Sequence, residues 1–439
     1  MNVNVPTNVR TMKTAAEQAL ADAFVSAQPK LPGKGAVAAL RADAFQRFET
    51  AGLPHRRVEE WKYTDLRALM REAQPLAGLP DAAAKAKAKN AGALFAGIAA
   101  RKLVFVDGAF APDLSDLSPE AGLAIVSMAD ALAKGDALVA AHVGKTVETN
   151  DVGVALNTAL MGDGAVIRVA AGAALAKPIH LVFFGAQAAA SVTRSLLVVE
   201  KGASVTLLES HDNAAGQVNT ALEIVAADGA TVEHVKTVRA GALHLSSLIA
   251  SVGARARFNT FAFTTASALV RNQMFIRFAG EGTQAGIGGA TLARAREHVD
   301  NTLLIDHAAG GCESRERFRA VLDGQSRGVF QGKIVVRPHA QKTDARMASH
   351  SLLLSDGAEA NAKPELEIFA DDVQCGHGAT AGALQQDLLF YLRARGIPKR
   401  QAEALLIQSF VAEPIEAIAH EGVRAALNAA VERWLGERE

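Results

Sequence analysis

The sequence predicts a mainly β protein, with a β-solenoid core flanked by N-terminal and C-terminal α-helical domains. Three observations support this. Residues 1–100 and 384–439 carry helix-type patterns, whereas residues 101–383 break into short β-type runs closed by Gly, Ala-Gly or Asp-Gly. Several of those runs alternate with period two: Met274, Ile276 and Phe278 share one face of NQMFIRF, and Leu366 and Ile368 oppose Glu365 and Glu367 in PELEIFADD. Finally, a small-residue turn recurs. Gly172-Ala173-Ala174-Leu175, Gly202-Ala203-Ser204-Val205, Gly229-Ala230-Thr231-Val232 and Gly253-Ala254-Arg255-Ala256 are spaced by 30, 27 and 24, and Gly357-Ala358-Glu359-Ala360 repeats the form later. A solenoid needs such a corner, because each coil turns where a small residue fits and then stacks a strand on the coil below. A large β-sandwich shares the short strands and turns but requires no fixed-period corner. No long helices separate the strands, which argues against a doubly wound α/β fold.

The flanking elements follow from their caps. Thr14-Ala15-Ala16-Glu17 is a capping box opening AAEQALADAFVSA. A second helix runs through AVAALRADAFQRFET and stops at Gly52-Leu53-Pro54. DAAAKAKAKNAG at 81–92 reads as a solvated helix face or a linker. At the other end, LQQDLLFYLRARG stops on Gly396, and Pro398 opens the next helix. Leu405, Leu406, Phe410 and Val411 form a stripe at helical spacing, Pro414 interrupts, and EAIAHEGVRAALNAAVERWLG completes the domain.

Composition limits the function classes. Of 439 residues, 49% are hydrophobic and 21% charged, enough for a large core. Lys+Arg and Asp+Glu both number 46, against the basic excess of a dedicated nucleic-acid binder or a membrane-adhering protein. The two cysteines, Cys312 and Cys375, show no CxxC or zinc-ribbon spacing, which fits a reducing compartment. MNVNVPTNVRTMK lacks an apolar stretch of signal-peptide length, and no run reaches the 18 or so apolar residues of a membrane helix. The chain reads as cytoplasmic.

Common catalytic motifs fail on inspection. Gly144-Lys145-Thr146 resembles a P-loop end, but position 139 is valine. GEGTQAGIGGA at 280–290 fails G-x-G-x-x-G and reads as a corner or loop. HExxH and GxSxG are absent. His211, His234 and His244 read as solvent-facing or satisfied strand histidines. Arg317, Arg319, Gln331, Lys333, Arg337, Gln341 and Lys342 read as the wet outer face of stacked coils.

The stretch DDVQCGHGAT at 371–380 is different. If it is extended, Cys375 and His377 lie on one face, roughly 6.5 Å apart. A thiolate and an imidazole on one face can bind one soft or borderline metal, or two atoms of a cluster. A Cys–His nucleophile pair is the competing geometry. Two ligands are too few to hold a tetrahedral metal alone.

Several ordered motifs make the chain similar to the SufB/SufD family of the SUF iron–sulfur cluster assembly machinery, and to its SufD branch in particular. Gly52-Leu53-Pro54 and Arg56-Arg57-Val58-Glu59-Glu60-Trp61-Lys62-Tyr63-Thr64 resemble the family's G-L-P and R-x-x-E-x-W-K-Y-T segment. Phe330-Gln331-Gly332-Lys333-Ile334 and Ala340-Gln341-Lys342-Thr343-Asp344-Ala345 resemble its F-x-G-K-I and A-Q-K-T-D-A runs. Leu366 to Thr380, followed by Phe390-Tyr391-Leu392-Arg393-Ala394-Arg395-Gly396, completes the likeness. Gly376 stands where the family often has serine, and Val58 where it is commonly polar. The SufB paralogue resembles H-E-A-T at the matching stretch; here Gly378 follows His377.

The resemblance implies a right-handed parallel β-helix with helical domains at 1–100 and 384–439 around a core at 101–383. It implies a non-catalytic scaffold that partners SufB through the β-helix end and the ATPase SufC through the C-terminal helices, with Phe390, Tyr391, Arg393, Arg395 and Gly396 at the SufC contact. It also implies that Cys375 and His377 hold a transient iron–sulfur cluster or iron, or relay sulfur, at a site shared with SufB, with Asp371 and Asp372 behind them or capping a turn. The alternatives are a SufB-like paralogue, a homodimeric β-helix binding protein, and an enzyme built on a β-helix.

Overall fold

A computed structural model describes residues 12–213 and 215–438. The N-terminal region holds α1 (Ala15–Ala27), α2 (Ala36–Ala51), α3 (Leu66–Leu69) and α4 (Ala82–Ala88). The capping box is formed: Glu17 N–H donates to Thr14 Oγ1 at 3.2 Å and Thr14 N–H to Glu17 Oε2 at 2.7 Å. The same carboxylate accepts from Leu53 N–H at 2.8 Å, tying the start of α1 to the Gly-Leu-Pro stop after α2.

Strands begin with β1 (Arg101–Val106), β2 (Ala109–Phe110) and β3 (Leu123–Ser127). Three helices then interrupt the strand run read from the sequence: α5 (Met128–Lys134), α6 (Ala137–His142) and α7 (Val152–Leu160). They are short, which hides their period; Asp136 and Asp151 cap α6 and α7. The solenoid continues through β4 (Ala165–Val169), β5 (Ile179–Gly185), β6 (Ala190–Val199), β7 (Ser204–Asn213), β8 (Gln217–Ala226), β9 (Thr231–Val252) and β10 (Arg257–Phe278). It ends with β11 (Gln284–Ala293), β12 (His298–His307), β13 (Glu313–Leu322), β14 (Arg327–Val336), β15 (Asp344–Leu353), β16 (Glu359–Ile368) and β17 (Gln374–Gly382). After these come α8 (Gln386–Ala394), α9 (Lys399–Ile415) and α10 (Glu421–Gly436).

Each coil gives one strand to each of two facing parallel sheets. The first sheet stacks β1, β5, β7, β9, β10, β11, β13, β15 and β17. The second stacks β4, β6, β8, β9, β10, β12, β14 and β16; the 22-residue strands β9 and β10 run through both. Ser204, Thr231, Arg257, Gln284, Glu313, Asp344 and Gln374 occupy one register column, a coil of 26 to 31 residues. Met274, Ile276 and Phe278 point into the interior core, as their alternation predicts.

The corners explain the repeat. Gly172, Gly202, Gly229, Arg255, Gly282, Gly311 and Lys342 all adopt a left-handed backbone, φ between 53° and 68°. Their N–H groups form a ladder, each donating to the next coil's corner, as from Gly202 to Asp228 O at 3.0 Å and Gly229 to Ala254 O at 2.8 Å. The fourth corner therefore turns at Arg255 rather than at Gly253. Gly357 belongs to the opposite corner, where its lack of Cβ admits Gly324 O, which a Cβ would meet at 2.8 Å. Gly286, Gly288 and Gly289 lie within β11 rather than in a loop.

Both outer faces are partly covered. The N-terminal region packs Phe48, Leu53, Trp61 and Leu66, with Leu156 of α7, on Leu245 and Leu269 of the second sheet. Ala84 and Ala88 of the alanine–lysine segment are buried against β1. On the first sheet, Ile407, Val411 and Ile415 of α9 and Val423, Leu427 and Val431 of α10 cover Leu208, Val235, Phe261 and Ala290. The buried stripe of α9 runs through Ala402, Ile407, Val411 and Ile415, and Leu405 is exposed. Pro414 sits in the last turn of α9 rather than breaking it.

Candidate functional site

The solenoid ends on β17. Asp372 builds the corner that leads into it: its carbonyl accepts from Lys342 N–H at 2.6 Å, its N–H donates to Gln341 Oε1 at 2.9 Å, and its carboxylate pairs with Lys342. Asp371 is exposed on the same corner. Cys375 then lies over Ala345, and His377 over Met347, of β15. Ala345 and Met347 belong to the interior core, and Val373 and Cys375 pack against it. Strand parity therefore turns Cys375 and His377 toward the interior side at the open end. Among the described residues β17 pairs only with β15, so its other edge is free. Ile368 and Phe369 of the last coil are exposed beside it, Phe369 to 58%.

Electrostatics keep this thiol protonated. Burial, and then the carboxylates of Asp344 and Glu316, push the Cys375 thiol up. Glu316 lies two coils in, in the column Glu316–Met347–His377. It is fully buried, and neither carboxyl oxygen has a hydrogen-bond partner among the described residues. Burial pushes its carboxyl up to about 7. The raised folded value means that Glu316 contributes stability below its unfolded pKa near 4.5, and that this is lost as pH rises through 7. Glu316→Gln is therefore expected to stabilise the fold at pH 8 by about 3 kcal/mol and to change little at pH 4.5. Urea denaturation at the two pH values measures it.

A second polar group lies deeper inside the solenoid. Glu209 and His211 share the inward face of Leu207, and His234 and Lys236 that of Val232. All are buried. His234 is satisfied, with Nε2 2.8 Å from Glu209 Oε2 and Nδ1 2.9 Å from Thr260 Oγ1. His211 Nε2 lies 3.4 Å from Glu209 Oε1, and its ring meets that of His244 edge-on with centroids 4.9 Å apart; neither ring nitrogen of His244 has a hydrogen-bond partner among the described residues. Burial lowers both imidazoles, and holds that of His244 well below the usual histidine range. His244 is neither solvent-facing nor satisfied, contrary to the sequence reading, whereas His211 is buried beside the Glu209 carboxylate. The signal for this layer was parity: charged residues occupy the same alternate positions as the inward-facing apolar ones. Among the described residues, no three His, Cys, Asp or Glu side chains form a group that could hold a metal ion.

The tryptophan segment is a strap across the second sheet. Arg271 stacks on Trp61 at 3.8 Å, donates to Glu60 O at 2.7 Å and pairs with fully buried Asp300. Trp61 Nε1 donates to Asp151 at 3.0 Å, and Thr64 Oγ1 contacts both His298 Nε2 at 3.0 Å and Asp300. Gln331 is buried and donates to Glu60 O at 3.0 Å, so it is not part of a wet face. Lys363 of β16 pairs with Glu59. Arg271, Asp300, Gln331 and Lys363 sit on four successive coils, so the strap reaches the last one. Gly144 follows α6 as a turn whose N–H donates to Glu223 at 2.9 Å, not as part of a phosphate cradle.

Beyond β17, α8 buries Leu389 and exposes Phe390 to 74% and Tyr391 to 54%. Arg395 stacks on Tyr391 at 3.4 Å and donates to its carbonyl at 3.2 Å; Gly396, at φ 83°, ends the helix. Arg393 is exposed on the same helix.

Two family models cover this architecture. The SufBD protein N-terminal region matches residues 14–181, and the SUF system FeS cluster assembly SufBD core domain matches residues 182–410. The chain belongs to the SufB/SufD family of iron–sulfur cluster assembly proteins. It is 30% identical over 390 residues to the iron–sulfur cluster assembly protein SufD of Escherichia coli, covering 87% of this chain and 89% of that protein. An iron–sulfur cluster assembly SufBD family protein of Synechocystis sp. is 31% identical over 83% of this chain and 84% of its own length. The SufD protein of Bacillus subtilis is 28% identical over 64% and 66%. Among the described residues no helix is long and apolar enough to cross a membrane.

Proposed function

We propose that this chain is a non-catalytic scaffold subunit of SUF assembly, pairing with SufB at the open solenoid end and with the ATPase SufC through the C-terminal helices. The observation that carries the reading is the placement of Cys375 and His377 on the last strand, beside a free strand edge. A thiol and an imidazole supply half of a tetrahedral site for iron or a nascent cluster, which is cargo here rather than a resident cofactor. SufB supplies the rest. Because burial, with the Asp344 and Glu316 carboxylates nearby, pushes the thiol up, Cys375 becomes a ligand or a sulfur carrier when a cation arrives with the partner. Asp372 acts structurally, through the corner, and Asp371 lies behind it.

SufC docks on α8, where Phe390 and Tyr391 supply exposed aromatic area and Arg393 and Arg395 a charged rim. Movement there passes through α9 and α10, which pack on strands of the first sheet as far as Leu352 of β15, the neighbour of β17. Tagged protein recovered from its own cell lysate is expected to bring down an ATPase and a paralogous SufBD subunit in stoichiometric amounts. Recovery of the chain alone, with both partners expressed, contradicts the proposal. Without SufB the free edge pairs with a second copy, so light scattering of the isolated chain is expected to report a dimer. A monomer at all concentrations counts against the open end as the partner surface.

A further inference from the structure

The outer face of the first sheet carries a small cleft where the solenoid meets the end of α9. It encloses about 70 Å3. Its floor is β11, where Gly286 and Gly288 present no side chains. A Cβ on Gly286 would lie 2.7 Å from Asn259 Oδ1, and one on Gly288 2.8 Å from the Phe261 ring. Glycine in a strand interior marks a close approach to the backbone, made here by the Asn259 amide and the Phe261 ring, which lets both lie flat along the cleft floor. Pro414, Ala417 and Ile418 wall the cleft on the helical side.

Its polar lining is mostly donors. Arg315 and Arg317 stand on β13, in register with Gly286 and Gly288. Arg315 is fixed by Asp344, its Nη2 2.6 Å from Oδ2. Arg317 is exposed and has no ion pair among the described residues. On the opposite side Asn259 accepts from Gly286 N–H at 3.0 Å and donates to Glu233 at 2.6 Å. That leaves one amide N–H of Asn259 uncommitted in this arrangement. Burial raises the Glu233 carboxyl, which also lines the cleft and accepts from Asn259.

We infer that this cleft binds a small oxyanion, a phosphate or a carboxylate, between the Arg317 and Arg315 guanidiniums and the Asn259 amide over the glycine floor. Guanidinium groups recognise such anions through paired, charge-assisted hydrogen bonds. The volume exceeds several-fold the ~10–15 Å3 that one water requires, and suits a single anionic head group rather than a larger metabolite. The site is separate from Cys375 and His377, and its test does not depend on the proposed scaffold role.

Calorimetry on the full-length chain tests it, with inorganic phosphate and acetate titrated separately against chloride at equal ionic strength. Saturable binding of one or both anions at a single site is expected, and the two arms identify which oxyanion is preferred. Arg317→Ala should weaken that binding about tenfold or more. Lys87→Ala, which removes an exposed charge on α4, should leave it unchanged. Arg317 is solvent-exposed, so its loss should spare the fold, and Asn259→Ala provides a second variant on the opposite wall. The inference is overturned if neither anion binds saturably up to about 10 mM, or if Arg317→Ala and Asn259→Ala both bind as the wild type does.

Discussion

Replacing Cys375 and His377 together by alanine is expected to abolish cluster assembly on the SufB–SufC–SufD-type complex while leaving the chain folded. Cys375 is half-buried at the rim of the core, and His377 is exposed on the terminal strand. Substitutions at such positions usually change stability by less than about 1 kcal/mol. Their loss for assembly is disproportionate because a shared site with two donors removed has no remaining attachment to this subunit. In the proposed site the thiol would do what the imidazole cannot, since thiolates hold iron and carry sulfur in clusters. Iron and acid-labile sulfide measured on the purified complex, together with maturation of a cluster-dependent enzyme in cells, should both fall to background. Unchanged iron, sulfide and maturation would refute the role given to these residues.

The largest expected effect on stability lies elsewhere, at Arg271. Its guanidinium and the Asp300 carboxylate are both fully buried, and the same guanidinium stacks on Trp61. Arg271→Ala leaves Asp300 charged and unpaired beneath the strap. Breaking a buried pair in this way costs roughly 3–5 kcal/mol, and the lost stacking adds up to about 2 kcal/mol. Removing both charges with apolar residues of similar volume is expected to be far milder, because no orphaned charge is left. Arg337→Ala, at a half-exposed pair with Asp306, should cost at most about 1 kcal/mol. Chemical denaturation of the four proteins ranks them. A small loss for Arg271→Ala would mean that the tryptophan strap does not hold the coils.

How much of this was legible in the sequence depended on how local each cause is. The solenoid was readable because its corners and alternating strands recur, and the capping box because both halves lie within four residues. The corner at Arg255 was misplaced because glycine marks only most of the left-handed positions; a non-glycine residue can occupy one where the ladder of corner hydrogen bonds holds it. Strand parity put Cys375 and His377 on one face and the family resemblance implied their role; the stacking of β17 on β15 gives them the shared face that parity requires. Glu316 was invisible: its neighbourhood is assembled by residues about 30 and 60 positions away, one coil apart each. The inward layer around His211 and His244 was overlooked for a related reason. Isolated histidines were weighed singly, whereas their shared parity with Leu207 and Val232 already placed them inside. Gln331 was taken for a surface residue because its partner, the Glu60 carbonyl, comes from the other end of the chain.

The central claim is that the open end carries half of a site. Anaerobic absorption spectra after reconstitution with ferrous iron and sulfide test it most directly, recorded on the isolated chain, on the chain with its paralogous partner, and on that complex with Cys375→Ala. The account predicts thiolate-to-iron charge-transfer bands in the wild-type complex, much weaker or absent bands in the isolated chain, and loss or alteration of the bands when Cys375 is replaced. Identical spectra from the complex with and without Cys375 would contradict it.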